Sequence, residues 1–239
     1  MPLPTIVTPT YELELPSTGK KIKYRPFLVK EEKLLVLALE TENTKDISTA
    51  IKTVLKNCIQ TRGVKVDNLP TFDIEYLFLN IRGKSVGEEI EVNLISPDDE
   101  VTQVPVTINV DDIKVQKSED HNKKVKLDDT LVMEMKYPSL DQFIKSNFDF
   151  GDEVTMDQSF DLIASCIDKI YNEEEVWSTA DCTKKEVKEF LEQMNSLQFK
   201  EIEKFFETMP KLSHNVTFTN PKTEVESTVV LEGLSSFFA

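Results

Sequence analysis

The stretch from Tyr24 to Glu40 reads Y-R-P-F-L-V-K-E-E-K-L-L-V-L-A-L-E, and its second half, Leu34 to Leu39, carries no charge. A helix that is apolar nearly all round is typical of a protein interior. The segment is too short to cross a bilayer, which needs about 20 apolar residues. We therefore predict a central core helix in this stretch, buried on all sides.

The segments on either side of this helix predict a β-hairpin before it and two amphipathic helices after it. Residues 11–15 and 20–24 alternate apolar and polar side chains around Pro16-Ser17-Thr18-Gly19, a turn sequence. Helical spacing then places two sets of apolar residues on single faces: Ile47, Ile51, Val54, Leu55, Cys58 and Ile59, and then Ile74, Leu77, Phe78 and Ile81. Residues 89–95 and 101–110 predict a second hairpin.

The second half of the chain repeats this order. After a charged segment come a hairpin around Asp128-Asp129, helices that place Phe160, Ile163, Ala164, Ile167 and Ile170 inward, and a last hairpin around Asn220-Pro221-Lys222-Thr223. Cys58-Ile59 and Cys166-Ile167 each fall near the end of a predicted helix. Such self-similarity indicates an internal duplication.

We therefore predict an α+β fold with two similar lobes of antiparallel hairpins and short amphipathic helices. The boundaries follow from composition: an extended N-terminal arm at 1–10, an N-terminal lobe at 11–113, a charged linker at 114–124 and a C-terminal lobe at 125–239 that ends in a ribbon-like hairpin.

Composition limits the possible functions. A net charge of −15 would repel phosphates, so we expect no nucleic-acid partner. The odd number of cysteines, three, indicates neither a disulfide framework nor a metal knuckle and fits a reducing cytoplasm. The first ten residues lack the basic and apolar regions of a signal peptide. No membrane-spanning segment is expected.

We predict no catalytic, cofactor-binding or metal-binding residues. His121 and His214 are expected to face solvent, and the paired carboxylates are expected to lie in solvated turns. The turns Ser96-Pro97-Asp98-Asp99 and Asn220-Pro221-Lys222-Thr223 have the outline of a zinc ribbon turn but lack its cysteines, so we predict no zinc.

The C-terminal segment contains two adjacent phenylalanines after Gly233. One interpretation packs Phe237 and Phe238 onto the protein's own core. The other leaves them, with Leu234, as an anchor for a partner, since clustered apolar and aromatic side chains dominate binding at interfaces. Leu234, Phe237 and Phe238 are therefore the candidate partner-binding residues.

Three stretches resemble the T4-like bacteriophage baseplate protein family, the hub and hub-assembly proteins of contractile tails: Y-R-P-F-L-V-K-E-E-K-L-L, F-D-I-E-Y-L-F-L-N-I-R-G-K-S-V-G-E and L-E-G-L-S-S-F-F. These motifs are structural, so no catalytic residue carries over. The resemblance implies Cys-Pro-x-Cys at the last hairpin in relatives. This chain has Asn220 and Thr223 there, which puts a family zinc site in doubt.

The resemblance implies a structural or assembly protein of the tail baseplate hub. Such a protein would bind other hub or tail proteins, with itself as a further partner, in the host bacterial cytoplasm during assembly and then in the virion baseplate. The alternative is an acidic cytoplasmic adaptor or assembly chaperone that does not stay in the virion. An enzyme with an unrecognised carboxylate site is a third hypothesis.

Overall fold

The computed structural model describes residues 6–41, 43–139, 156–233 and 236, which form six α-helices and eleven β-strands in an α+β arrangement. The helices are α1 (Val29–Glu40), α2 (Thr44–Cys58), α3 (Thr71–Val86), α4 (Met156–Ser165), α5 (Lys184–Glu192) and α6 (Ser196–Thr208). The strands are β1 (Tyr11–Glu14), β2 (Lys21–Tyr24), β3 (Glu89–Ile95), β4 (Gln103–Asn109), β5 (Lys114–Gln116), β6 (Lys124–Lys126), β7 (Val132–Met135), β8 (Ile167–Tyr171), β9 (Val176–Ser178), β10 (Lys211–Thr219) and β11 (Glu226–Glu232).

The described strands form four antiparallel sheets, which confirm the α+β class. The hairpins β1–β2 and β3–β4 are two-stranded sheets. A third sheet has the order β11–β10–β5, and a fourth has the order β6–β7–β8–β9. Each predicted hairpin is present, because each pair of alternating segments is joined by a turn sequence that lets antiparallel strands pair.

The first core is built around α3. Ile74, Leu77 and Ile81 are fully buried on this helix, as predicted, and Leu79 on another side of the helix is buried too. Helix α3 contacts α2 and the strands β5 and β10, so more than one of its faces meets another element. Helix α2 contributes the predicted apolar face of Ile47, Ile51, Val54, Leu55 and Cys58.

The prediction that α1 is the central buried helix is wrong. Only Glu31, Leu35 and Ala38, spaced as one helical stripe, face the protein, and Leu35 is only partly buried. The remaining α1 side chains are exposed. The central position is taken by α3, so α1 contacts the rest of the protein through a single stripe.

The second core lies between the β6–β7–β8–β9 sheet and the helices α4, α5 and α6. The prediction that Ile167 and Ile170 lie on a helix is wrong, because α4 ends at Ser165 and both isoleucines belong to β8. The amide of Lys136 donates to the carbonyl of Cys166 over 2.7 Å, which starts the pairing of β8 with β7. A short apolar run fits a helix or a strand equally well by spacing alone.

The last hairpin, β10–β11, packs in the first core although it follows the second core in sequence. Leu212, Val216, Phe218 and Leu231 join the side chains of α2 and α3 there. Strand β5, inside the predicted linker 114–124, pairs with residues 211–213 of β10. The division into lobes stays a prediction, and this packing favours placing residues 211–232 with the first lobe.

Two local features occur in both halves. The amide of Arg25, after β2, donates to the carbonyl of Cys58 over 2.9 Å, as Lys136 after β7 does to Cys166. The two proline turns also match, since Glu100 and Glu224 both have positive φ, 56° and 59°. Each of these glutamates donates its amide over 2.9 Å to the residue four positions earlier. The duplication itself stays a prediction.

Candidate interaction surface

The predicted partner-binding residues Leu234, Phe237 and Phe238 lie outside the described residues. Strand β11 ends just before them at Glu232, and Gly233 follows with φ of 72°, a conformation that glycine adopts readily. The assignment of these three residues to partner binding therefore stays a prediction.

A buried ion pair fixes the start of α1. The Arg25 Nη2 atom lies 3.0 Å from Glu31 Oε1, and only 1% of the Glu31 side chain is exposed. The other carboxylate oxygen of Glu31 accepts the backbone amide of Leu28 over 2.9 Å. Burial alone would raise the pKa of Glu31, but hydrogen bonds from Arg25 and Leu28 and the charge of Arg25 outweigh it and lower that pKa. Glu31 is therefore ionised in the folded protein.

The same segment is attached to both α2 and α3. Arg25 donates its backbone amide to the carbonyl of Cys58, the last residue of α2. Phe27 donates its amide to the Ser85 hydroxyl on α3 over 2.9 Å. Asn57 of α2 adds a contact of 3.4 Å to Glu31 Oε1. These bonds attach the N-terminus of α1 to both α2 and α3.

The outer surface of α1 carries five exposed apolar side chains together with exposed charged ones. We call the side chains of Val29, Leu34, Val36, Leu37 and Leu39 the α1 surface; between 36% and 79% of each is exposed. Single exposed apolar side chains are common, but several on one helix make it a candidate interaction site. The sequence contained this signal, yet the uncharged run from Leu34 to Leu39 indicated burial in the core rather than exposure.

A hydrogen-bonded cluster joins the two proline turns. The Nδ2 atom of Asn220 donates to Asp98 Oδ1 over 3.0 Å, and the hydroxyl of Thr223 donates to the other oxygen of Asp98. Hydrogen bonds from Asn220, Ser96 and Thr223 lower the pKa of Asp98. The two turns, whose sequences have the outline of a zinc ribbon turn, thus contact each other through oxygen and amide groups.

Carboxylates in two predicted turns accept hydrogen bonds from backbone amides. Asp128 accepts the amides of Thr130 and Leu131, both over 2.7 Å, which lower its pKa. Asp99 accepts the Thr102 amide over 2.9 Å, and hydrogen bonds from Thr102 lower its pKa as well. A general acid at neutral pH needs a raised pKa. These carboxylates therefore stabilise the turns, and their lowered pKa values do not suit a general acid.

Two of the three cysteines are buried and protonated. Burial raises the pKa of Cys58 to about 11 and that of Cys166 to about 12, so both stay protonated thiols. Cys182 is exposed and its thiol donates to the carbonyl of Ser178 over 3.4 Å, while His214 lies on β10. His121, which was expected to face solvent, is half-buried, and both of its ring nitrogens lie 3.0 Å from side-chain hydroxyls.

Among the described residues, no group of three or more His, Cys, Asp or Glu side chains could hold a metal ion. Within the same part of the chain, no helix combines the length and the apolar composition that a membrane crossing requires.

Comparison with known families decides the broad class. Residues 8–239 match the family model of the T4 bacteriophage base plate protein. The chain belongs to this family. Comparisons with curated proteins and with solved structures give no match.

Membership of the base plate protein family gives the chain a structural role in the bacteriophage baseplate. The family implies association with other proteins of the phage tail, and it suggests a non-enzymatic protein. The exposed apolar side chains of α1 and the turn-forming carboxylates are compatible with this role.

Proposed function

We propose that this base plate protein acts in assembly of the tail baseplate hub, and that the α1 surface binds another tail protein. The observation that carries the proposal is the exposure of Val29, Leu34, Val36, Leu37 and Leu39 on a helix fixed by Arg25 and Glu31. Family membership supports a tail protein as the partner. The net charge of −15 favours a protein partner over nucleic acid.

The energetics of α1 support binding. Full burial of a valine or leucine side chain contributes about 1.5–3 kcal/mol relative to leaving it exposed. Association also costs ordering entropy, and elements that are already held in the bound geometry lower that cost. The hydrogen bonds of Glu31 and Phe27 supply this preorganisation.

The surface is tested by adding charge to it. Val36→Lys and Leu37→Lys, combined in a tagged chain coexpressed with the other tail proteins, should abolish capture of a tail partner without lowering the Tm. The matched control is Leu197→Lys, since Leu197 is an apolar side chain on α6 that is 76% exposed. Capture that survives the α1 double variant would contradict this assignment of the surface.

Two versions of the hub role remain, a subunit retained in the virion and a chaperone released in the host cytoplasm. Mass spectrometry of purified virions and of tail intermediates separates them. A retained subunit is present in both samples, and a chaperone only in intermediates. Absence from both would contradict the hub proposal. Sedimentation of the purified chain shows whether a second copy is also a partner.

A further inference from the structure

The four-stranded sheet ends at β9 with apolar side chains that are exposed. A cross-strand row runs from Val125 through Met133 and Ile170 to Trp177. Val125 and Met133 are buried, Ile170 is half-buried, and 42% of Trp177 is exposed. The core that covers this face at β6 and β7 therefore does not fully cover it at β9.

The opposite face of β9 carries Val176 and Ser178. Val176 pairs with Tyr171 of β8 and is 66% exposed. In the described part of the chain, β9 pairs only with β8, so it is the outermost strand of its sheet. An outermost strand presents unpaired backbone groups, and natural proteins protect such strands with lysine, proline or a bulge. In β9 the carbonyl of Ser178 accepts the Cys182 thiol, which leaves the backbone groups of Val176 and the amide of Ser178 for a partner strand. The sequence of β9, Val176-Trp177-Ser178, contains neither lysine nor proline.

The turn before β9 is strongly acidic and rigid. Glu173, Glu174 and Glu175 are exposed, and none of them forms an ion pair with another described residue. The Oδ1 atom of Asn172 accepts the amides of Glu174 and Glu175 over 2.9 and 2.7 Å. These bonds hold three carboxylates beside the exposed end of the sheet.

We propose that β9 binds an extended segment of a partner protein as a fifth strand, with apolar side chains on Trp177 and Val176 and with lysine or arginine on Glu173–Glu175. Strand addition to an open edge uses backbone hydrogen bonds for affinity and side-chain contacts for specificity. The segment is basic because the turn is acidic and its carboxylates form no ion pair with another described residue, and opposite charges at an interface select the partner and speed its association. This inference rests on the proposed role in partner binding, but it concerns a different surface from α1.

Trp177 is the only tryptophan in the chain, so its fluorescence reports directly on β9. The probe is an acetylated peptide with two adjacent valines flanked by lysines, added to the full chain, because adjacent residues of a strand point to opposite faces and so set one valine against Trp177 and the other against Val176. We expect a blue shift of the emission and weaker quenching by acrylamide, both saturable. Two control peptides follow: one N-methylated at alternate residues, which keeps the charge but cannot pair, and one with glutamate in place of lysine. Neither should bind.

The acidic turn is tested by combining Glu173→Gln, Glu174→Gln and Glu175→Gln, which should weaken binding about tenfold. The matched control combines Glu201→Gln, Glu203→Gln and Glu207→Gln on α6, which removes the same net charge from other exposed positions and should leave the affinity unchanged. Equal binding of the N-methylated peptide, equal loss in both triple variants, or no fluorescence change would overturn the inference. Because the peptide assay involves neither α1 nor phage assembly, its failure would leave the proposed function untouched.

Discussion

The Nε2 atom of His121 lies 3.0 Å from the hydroxyl oxygen of Tyr137, and the two rings stack with their centroids 5.6 Å apart. The other ring nitrogen, Nδ1, lies 3.0 Å from the hydroxyl of Thr208 at the end of α6. His121 therefore connects the segment before β6 to the second core, although it occurs in a stretch whose charged composition indicated a linker.

This arrangement makes the stability of the protein depend on pH. Burial, and next the charge of Lys123, lower the pKa of His121 below its ordinary value. The unfolded state therefore binds the proton more tightly than the folded state. The stability that neutral His121 contributes to the folded protein is complete above the unfolded pKa and is lost as the pH falls through the folded pKa.

We expect the Tm of the wild type to fall between about pH 8 and about pH 5 by more than that of His121→Gln, which does not titrate. Thermal unfolding at a series of pH values measures both curves. The variant keeps His214 and every carboxylate, so the difference between the curves isolates His121. Parallel curves would contradict the assignment.

The ion pair at the start of α1 predicts that removing one partner destabilises the protein more than removing both. Arg25→Met should destabilise the protein by about 3 kcal/mol, because it leaves a buried carboxylate without its main partner. Adding Glu31→Leu should recover most of that loss, since the double variant buries no charge. Urea denaturation measures both values, and a double variant that is less stable than Arg25→Met would contradict this explanation.

Helices α1 and α3 show how much of the fold could be predicted from the sequence. The pattern correctly predicted the hairpins, the buried faces of α2 and α3, and the turn role of Asp128. It could not rank α1 against α3, because both are rich in apolar residues. What distinguishes them is long-range: Asp73 on α3 is fully buried and accepts the amide of Ser17 from a turn far away in sequence. Arg25 and Glu31 gave no local signal of their ion pair.

The contact between the proline turns predicts how two variants of Asn220 rank in stability. Asn220 is fully buried, its Nδ2 donates to Asp98, and its Oδ1 accepts the amide of Lys222 over 2.9 Å. Asn220→Ala should cost about 1–3 kcal/mol, the usual effect of losing a buried partner. Asn220→Asp should be at least as damaging, because it keeps the acceptor but sets a second carboxylate against Asp98. Urea midpoints rank the variants, and an Asp variant as stable as the wild type would contradict this.

The C-terminal segment retains the two interpretations that its sequence allows, and deletion of residues 235–239 separates them. If Phe237 and Phe238 pack on the core, we expect the Tm to fall by several degrees, since burial of each phenylalanine contributes about 1.5–3 kcal/mol. If they anchor a partner with Leu234, the Tm should stay unchanged while capture of tail proteins fails. A truncation that alters neither property would exclude both roles.

The ring of Phe72 on α3 meets the ring of Tyr137 edge to face, with their centroids 5.0 Å apart. Tyr137 in turn stacks on Phe205 of the second core at 5.8 Å. Only 1% of Phe72 is exposed, so Phe72→Ala should cost about 3–5 kcal/mol. Because this ring links the helix of the first core to the second core, we expect the variant to unfold in two steps while the wild type unfolds in one.

Trp177 belongs to the four-stranded sheet of the second core, so its fluorescence follows that unit, whereas far-UV circular dichroism follows the whole chain. In Phe72→Ala the two urea midpoints should separate, and in the wild type they should coincide. The control is Phe218→Ala, which removes a phenylalanine of the first core on β10, far from Tyr137 in sequence. Like Phe72→Ala, it should destabilise the protein by removing a buried ring. Coincident midpoints in Phe72→Ala, or an equal separation in the control, would show that this ring contact does not couple the two cores.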